Sequence, residues 1–97
     1  MNIAFDLDET LVSGKTHAPN YDLIQVLRWF YSNGDDIYVW SAGGIEYVER
    51  IIEKLGLSLF VMVVAKGSSY PTPHMDLTFD DQIITLGRTN IKVLPWN

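Results

Sequence analysis

The sequence predicts an α/β fold, namely a three-layer, Rossmann-like domain built around a mainly parallel sheet of about five strands. Short apolar runs alternate with helical ones along the chain, and no internal repeat, low-complexity tract or linker interrupts this alternation. The chain has 97 residues, of which 47% are apolar, and this is enough for one hydrophobic core but not for two. We therefore expect residues 1–97 to form a single domain.

Two helices and five strands are expected in alternation. The first helix covers residues 21–33, with Asn20 as its N-cap and Gly34 as its stop, and the second covers residues 45–55 and stops at Gly56. The third strand is apolar throughout, which is typical of a central parallel strand covered on both faces. The five predicted strands are residues 3–5, 37–40, 59–65, 75–79 and 91–94.

The connection between the third and fourth strands is unusual. It includes Gly67, Pro71 and Pro73 and is too short and broken to hold a helix. A crossover between parallel strands needs about a dozen residues or more. Two alternatives follow: the connection is a tight loop, or one strand pairing differs from this scheme.

Charge and composition disfavour several classes of partner. Seven basic against twelve acidic side chains give a net charge of -5, which opposes loose binding to nucleic acids and to anionic membranes. The absence of cysteine excludes disulfides and thiolate metal sites. No apolar run is long enough to span a bilayer, and the short run before Asp6 is not a signal-peptide core. We expect a cytoplasmic protein without a membrane partner, and we regard nucleic acid as a disfavoured partner.

Two patterns near the N-terminus are candidates for phosphate handling. Residues 14–16 read GKT, like the end of a triphosphate-binding loop, but Glu9 stands where that loop needs its first glycine. A calcium loop also fails, because it needs Gly near Leu11 and Glu near His17. We interpret residues 14–16 as a polar turn, which leaves the acidic pattern that precedes them.

A lone Asp-x-Asp is more often a pair of solvated carboxylates than a site, but position changes this interpretation. In open α/β sheets, ligands bind beyond the carboxyl ends of the strands. Reactive groups follow the first four predicted strands one by one. They are Asp6 and Asp8 after the first strand, Ser41 and Ala42 after the second, Lys66 after the third, and Asp80 and Asp81 after the fourth.

These groups also fit one chemistry. Ser41 and the backbone amides of the turn that follows it, including that of Ala42, can hold an anion where a helix begins. Lys66 can neutralise a phosphate oxygen, although a single Ser or Lys at a strand end is more often a cap or a solvated side chain. Asp6 and Asp80 offer the oxygen ligands that Mg²⁺ prefers. Carboxylates that converge on one edge repel one another, and a divalent cation relieves that repulsion.

Three motifs resemble those of the haloacid dehalogenase (HAD) superfamily of phosphohydrolases. They read FDLDETL, VWSAGG and TFDD, and the resemblance extends over roughly residues 3–94. It implies that Asp6 is a nucleophile that forms an aspartyl-phosphate, that Asp8 is the general acid and base, and that Thr10 holds Asp8. It also implies a magnesium site and a phosphate site. The ligands of Mg²⁺ would be Asp6, the backbone carbonyl of Asp8, Asp80 and Asp81, and the phosphoryl group would be held by Ser41, Ala42 and Lys66.

Larger members of that superfamily carry a cap domain, for which only residues 11–20 and 67–74 are available here. The resemblance is therefore to the capless type, with an exposed active site. Such a site suits a small phosphate ester, a macromolecular end, or a substrate enclosed by the second subunit of a homo-oligomer. Trp40, Tyr70 and His74 are expected near this edge, and for each we favour packing over substrate contact.

The predicted function is that of a Mg²⁺-dependent phosphomonoester hydrolase. Two alternatives are a polynucleotide-end phosphatase, which calls for basic residues near the site, and a catalytically idle domain of the same fold that binds a ligand. A phosphoacceptor receiver domain is rejected, because its accepting Asp ends the third strand, where this chain has Lys66. The tail at residues 95–97 is either an interface or a frayed end.

Overall fold

A computed structural model describes residues 1–67 and 73–96 of the chain. Two helices and five strands occur in these ranges, and no cap domain is found among them. None of the helices described is long and apolar enough to cross a membrane. In chain order the elements are β1 (Asn2–Asp6), α1 (Tyr21–Ser32), β2 (Asp36–Trp40), α2 (Ile45–Lys54), β3 (Met62–Val63), β4 (Met75–Asp80) and β5 (Gly87–Lys92).

The five strands form one sheet in the order β3-β2-β1-β4-β5, and every pairing is parallel. The predicted α/β fold class is therefore confirmed. From β1 the chain moves outward through β2 to β3, and it then crosses to the other side of β1 to form β4 and β5. The strand order thus reverses between β1 and β4, whose carboxyl ends are Asp6 and Asp80. Such a switch point is where open α/β sheets bind ligands.

Both helices pack on the same face of the sheet. The core on this face joins Phe5 of β1 and Val39 of β2 to Leu27 of α1 and Ile52 of α2. Phe5 also stacks on Phe79 of β4, with ring centroids 4.7 Å apart. Alternate residues of the same strands point to the opposite face. There Ala4, Tyr38, Trp40 and Met75 form a second cluster, against which Val64 and Ile84 pack from loops.

Asn20 is the N-cap of α1, as predicted from the sequence. The side chain of Asn20 accepts a hydrogen bond from the backbone N–H of Leu23 at 3.3 Å, which satisfies one of the unpaired donors of the first turn. Its amide group donates to the carbonyl of Thr10 at 3.1 Å. Asn20 therefore ties the start of α1 to the segment that follows β1.

The third strand differs from its prediction. Residues 59–65 do not form a central strand, because β3 is limited to Met62–Val63 and lies at the edge of the sheet. Leu59 is 90% exposed and Met62 is 45% exposed. Phe60 instead packs edge-on against Tyr31 of α1, with centroids 5.0 Å apart. The apolar run thus reflects packing under a helix as well as strand formation.

The fifth strand begins four residues earlier than predicted, at Gly87, and it ends at Lys92. The sequence analysis missed the first residues of this edge strand because they are polar. They show no apolar pattern, and they include Arg88, Thr89 and Asn90. Gly87 allows the close pairing with β4, because a Cβ atom there would lie 2.7 Å from Cγ2 of Thr78.

The connection from β3 to β4 crosses the sheet, since β3 pairs with β2 and β4 pairs with β1. Residues 64–67 and 73–74, which are its described parts, contain no helix. The remaining five residues, 68–72, lie outside the described ranges. The second helical layer of a three-layer fold is therefore not found among the residues described.

Candidate active site

Asp6 is the last residue of β1 and is 5% exposed. The ammonium group of Lys66 donates to its Oδ1 at 3.0 Å, and the hydroxyl of Thr10 donates to its Oδ2 at 3.3 Å. The prediction that Thr10 holds Asp8 is therefore wrong. The chain turns tightly after β1, where the backbone N–H of Thr10 donates to the carbonyl of Leu7 at 3.3 Å. This turn brings Thr10 back over Asp6.

Across the switch point, β4 ends at Asp80, which is fully buried, and Asp81 follows with 8% exposure. Lys66 donates to Oδ2 of Asp80 at 2.7 Å. The backbone N–H of Gln82 donates to Oδ1 of Asp80 at 2.9 Å, and its side-chain amide donates to Asp81 at 3.2 Å. Carboxylate oxygens of Asp6, Asp80 and Asp81 lie within 4.8 Å of one another. We call these three residues the acidic cluster.

The acidic cluster holds more negative charge than Lys66 balances. Burial is the main reason that the pKa of Asp6 rises from 3.8 to about 7, and the charges of Asp80 and Asp81 add to this rise while Lys66 opposes it. Burial would lower the pKa of Lys66, but its hydrogen bonds to Asp80 and Asp6 outweigh burial and raise it. Lys66 lies closer to Asp80 than to Asp6, and among the described residues Asp81 has no ion pair.

The acidic cluster therefore fits a divalent cation. Three buried carboxylates supply the hard oxygen ligands that Mg²⁺ prefers, and a 2+ charge would balance what Lys66 leaves over. Three of the predicted metal ligands, Asp6, Asp80 and Asp81, are thus brought together. The side chain of Asp8 is not in the cluster, and the contact through its backbone carbonyl stays a prediction.

Asp8 lies two residues beyond Asp6 but in a separate set of hydrogen bonds. Its Oδ2 accepts from the hydroxyl of Ser41 at 3.2 Å, and its Oδ1 accepts from the hydroxyl of Tyr47 at 2.5 Å. The Tyr47 oxygen also lies 3.1 Å from Nε2 of His17. We call these four residues the Asp8 network. Burial raises the pKa of Tyr47 to about 12, with a further contribution from Asp8, so that this hydroxyl stays protonated and donates.

The three predicted phosphate-binding residues lie in different surroundings. Ser41 is buried, and its oxygen accepts from the backbone N–H of Gly43 at 3.0 Å while its hydroxyl donates to Asp8. Ala42 is exposed in the turn before α2. Lys66 bridges Asp6 and Asp80. All three lie at the carboxyl end of the sheet, and their binding of phosphate stays a prediction.

The loop between β1 and α1 is tied to the C-terminal part of the chain. The backbone N–H of Trp96 donates to the carbonyl of Glu9 at 2.7 Å, and its indole N–H donates to the carbonyl of Ala18 at 2.8 Å. Residues 14–16 form a turn inside this loop, as predicted, and the carboxylate of Glu9 accepts from the N–H of Gly14 at 2.8 Å. Trp96 is therefore held at the loop, while Asn97 lies beyond the described residues.

Three further residues were expected near this edge. Trp40 is 2% exposed and packs in the cluster on the face without helices, so that packing is confirmed. His74 lies at the amino-terminal end of the strands, opposite the candidate site, because its carbonyl accepts from the side chain of Asn2 at the start of β1. The expected position of His74 is wrong, since it precedes β4 and parallel strands begin together. Tyr70 lies outside the described residues.

Sequence reasoning missed Tyr47 and His17. Tyr47 lies in the first turn of α2, and helices that follow strands begin at the carboxyl edge of the sheet, which is the signal that could have found it. His17 adopts a left-handed backbone with φ 61, and nothing in its local sequence indicates this. Its contact with Tyr47 joins two segments that are 30 residues apart.

The fold and the site define a small, all-parallel α/β domain with buried carboxylates at its switch point. A family model described as "Protein of unknown function (DUF705)" matches residues 2–97, and the chain belongs to this family. This match overturns the assignment to the haloacid dehalogenase superfamily that the sequence motifs indicated. Neither the search of curated proteins nor that of solved structures gave a match.

Proposed function

We propose that this protein is a Mg²⁺-dependent phosphomonoester hydrolase that forms an aspartyl-phosphate on Asp6. The observation that carries the proposal is the separation of two carboxylates that are two residues apart in sequence. Asp6 lies in the buried acidic cluster beside Lys66, whereas Asp8 is half-buried and is held by hydroxyl groups. Paired carboxyl groups in different surroundings can take different roles in catalysis. Because burial raises the pKa of Asp6 to about 7, the proposal requires a bound Mg²⁺ to keep Asp6 ionised as the nucleophile.

In the first step, a carboxylate oxygen of Asp6 bonds to the phosphorus of the ester. The bond between phosphorus and the ester oxygen breaks, and that oxygen leaves with a proton from Asp8. Lys66, whose ammonium group lies 3.0 Å from Asp6, would stabilise negative charge on the phosphoryl oxygens. The reaction releases an alcohol and leaves the phosphoryl group on Asp6.

In the second step, water bonds to the phosphorus while Asp8 takes a proton from it. The bond between phosphorus and Asp6 breaks, inorganic phosphate leaves, and both carboxyl groups return to their starting states. A Mg²⁺ ion held by Asp6, Asp80 and Asp81 would keep Asp6 ionised and would offset the charge of the phosphoryl group. Asp8 thus gives up its proton in the first step and regains one in the second.

The substrate class follows from charge and access. Ala42 and His17 are exposed beside the site, and no cap domain covers it in the described part of the chain. A small phosphate ester and the phosphorylated end of a larger molecule both fit such an opening. The net charge of -5 counts against a polynucleotide end.

A panel of phosphomonoesters tests the proposal, with aryl, sugar and nucleotide phosphates and 3′- and 5′-phosphorylated oligonucleotides. We expect release of phosphate that EDTA abolishes and that added Mg²⁺ restores. The variant Asp6→Asn should be inactive, and the matched control Asp22→Asn, on the exposed side of α1, should retain full activity.

Two results would overturn the proposal. Activity that is indifferent to both EDTA and Mg²⁺ would remove the metal from the reaction, and full activity of Asp6→Asn would remove the nucleophile. If the wild-type protein releases no phosphate from any ester of the panel but binds one of them tightly, the result would instead favour a binding domain.

A further inference from the structure

The hydrogen bonds of the Asp8 network suggest roles for two residues outside the acidic cluster. Tyr47 reaches Oδ1 of Asp8 from the first turn of α2, at 2.5 Å, while Ser41 reaches Oδ2 from the end of β2, at 3.2 Å. Each oxygen of the carboxyl group thus has a hydroxyl partner. Asp8 is held from two elements, which fixes the plane of its carboxyl group.

Hydroxyl partners suit a group that changes its protonation state. A hydroxyl donates to a carboxylate and accepts from a carboxylic acid, whereas a lysine or an arginine only donates. Asp6 has the contrasting arrangement, in which Lys66 is a fixed donor to a group that must be ionised. The partners of Asp8 can remain in contact whether it carries a proton or not.

His17 gives Tyr47 a second partner that can also reverse its role. Its Nε2 lies 3.1 Å from the Tyr47 oxygen, and a neutral imidazole nitrogen either donates or accepts, according to its tautomer. When Tyr47 donates to Asp8, His17 can donate to Tyr47.

The local backbone is arranged around these contacts. His17 has φ 61°, a left-handed conformation that is uncommon for residues other than glycine. Gly43 makes room for the tyrosine, because a Cβ atom there would lie 2.9 Å from Cδ2 of Tyr47. Both features bring the ring of Tyr47 between Asp8 and His17.

We infer that Tyr47 is a positioning residue that fixes the orientation of Asp8, the proposed proton donor to the leaving group, and that His17 orients Tyr47 in turn. This inference rests on the proposed function, because it requires Asp8 to protonate the leaving group. The hydroxyl of Tyr47 then matters most for substrates whose leaving group needs a proton, and least for those whose leaving group departs as a stable anion.

The test compares Tyr47→Phe with wild type on two phosphates that differ in leaving group. With an alkyl phosphate we expect kcat/KM to fall about 10- to 100-fold, since Asp8 loses part of its contribution as general acid. With a nitro-substituted aryl phosphate, kcat/KM should fall less than about threefold, because that anion leaves without a proton. Tyr31→Phe, in α1, is the matched control and should behave like wild type on both substrates.

A second variant covers the case in which Tyr47→Phe does not fold. His17→Asn removes the imidazole but keeps the left-handed backbone, which Asn tolerates better than most residues. We expect the same dependence on the leaving group with a smaller loss, of about threefold to tenfold on the alkyl phosphate. Thermal unfolding of both variants shows whether the fold is intact.

The outcomes separate this inference from the proposed function. If wild type hydrolyses both phosphates and Asp6→Asn hydrolyses neither, the proposed function stands. An equal loss on the two substrates in Tyr47→Phe, or no loss on either, would then overturn the inference alone. If wild type is inactive, or if Asp6→Asn is fully active, the proposed function fails and the inference fails with it.

Discussion

The acidic cluster and the Asp8 network lie side by side but hold their carboxylates by different means. In the cluster, two of the three buried carboxylates, Asp6 and Asp80, share the charge of Lys66, and Asp81 accepts from the side-chain amide of Gln82. In the network, Asp8 is half-buried and contacts two hydroxyl groups. The charge of Lys66 favours ionised carboxylates, although burial still raises the pKa of Asp6 to about 7, whereas a hydroxyl can contact a carboxyl group in either protonation state. The difference suggests a division of labour between a group that must stay ionised and a group that exchanges a proton.

The largest test of this division compares Asp6→Asn with Asp8→Asn. The first variant removes the proposed nucleophile, and activity should fall at least about a thousandfold. The second keeps the nucleophile but removes the proton donor, so that activity on an alkyl phosphate should fall about a hundredfold. Phosphate release in the presence of Mg²⁺ measures both. A greater loss in Asp8→Asn than in Asp6→Asn would reverse the two roles.

A second test removes the positively charged side chain of Lys66, which contacts the acidic cluster. In Lys66→Met the carboxylates of Asp6 and Asp80 lose their shared partner, which should destabilise the metal-free protein by about 2–3 kcal/mol at pH 8. Added Mg²⁺ should recover more stability in this variant than in wild type, since the ion meets less competing positive charge. Thermal unfolding with EDTA and with Mg²⁺ measures both effects. Lys15→Met, in the exposed turn at residues 14–16, is the control.

A third test uses pH. The pKa of Asp6 is raised from 3.8 to about 7 in the folded state. Between pH 3.8 and pH 7, Asp6 therefore carries a proton more often in the folded protein than in the unfolded protein. The contribution of Asp6 to stability is therefore fully present below pH 3.8 and is lost as the pH rises through 7. In EDTA, Asp6→Asn should be more stable than wild type by about 4 kcal/mol at pH 8 and should lose most of this advantage near pH 4.

Urea unfolding of wild type and Asp6→Asn at both pH values gives the comparison. Taking the difference between the two proteins removes the contribution of the other titrating groups. An advantage of Asp6→Asn that grows toward acid pH would contradict the excess of negative charge in the acidic cluster.

The smallest expected effect concerns the loop that carries His17. Trp96→Phe removes the indole donor to the carbonyl of Ala18 while keeping an aromatic ring, and it should cost about 1 kcal/mol of stability. Trp29→Phe, at an exposed position of α1, should cost less. If the loop supports the Asp8 network alone, Trp96→Phe should weaken activity on alkyl phosphates more than binding of Mg²⁺.

The strand-end residues of the candidate site were predictable because topology places them. Parallel strands bring their carboxyl ends to one edge, so Asp6, Lys66 and Asp80 could be grouped from sequence order alone. Side-chain partners could not be obtained in this way. Thr10 contacts Asp6 rather than Asp8 because of a tight turn, and Tyr47 reaches Asp8 from a helix 39 residues away in sequence.

Errors in the predicted fold arose at the two sheet edges. The apolar run at residues 59–65 indicated a central strand, but part of it packs against α1, and the polar start of β5 showed no strand pattern. An edge strand has one paired side, and its side chains do not follow the alternation of a buried strand. The family assignment failed for a different reason. Short motifs at strand ends describe a local arrangement of residues, whereas the DUF705 model matches residues 2–97.

The tie between Trp96 and the loop at residues 9–18 has a consequence for folding kinetics. Its indole contact spans 78 positions of the chain, and β1 is paired on one side with β4, which is also distant in sequence. Contacts of such long range carry a large loop-closure entropy and form late on average. The loop that presents His17 therefore closes only when both ends of the chain have reached the sheet. Partially folded molecules would lack a finished site, so recovery of activity on refolding should follow the slowest structural phase.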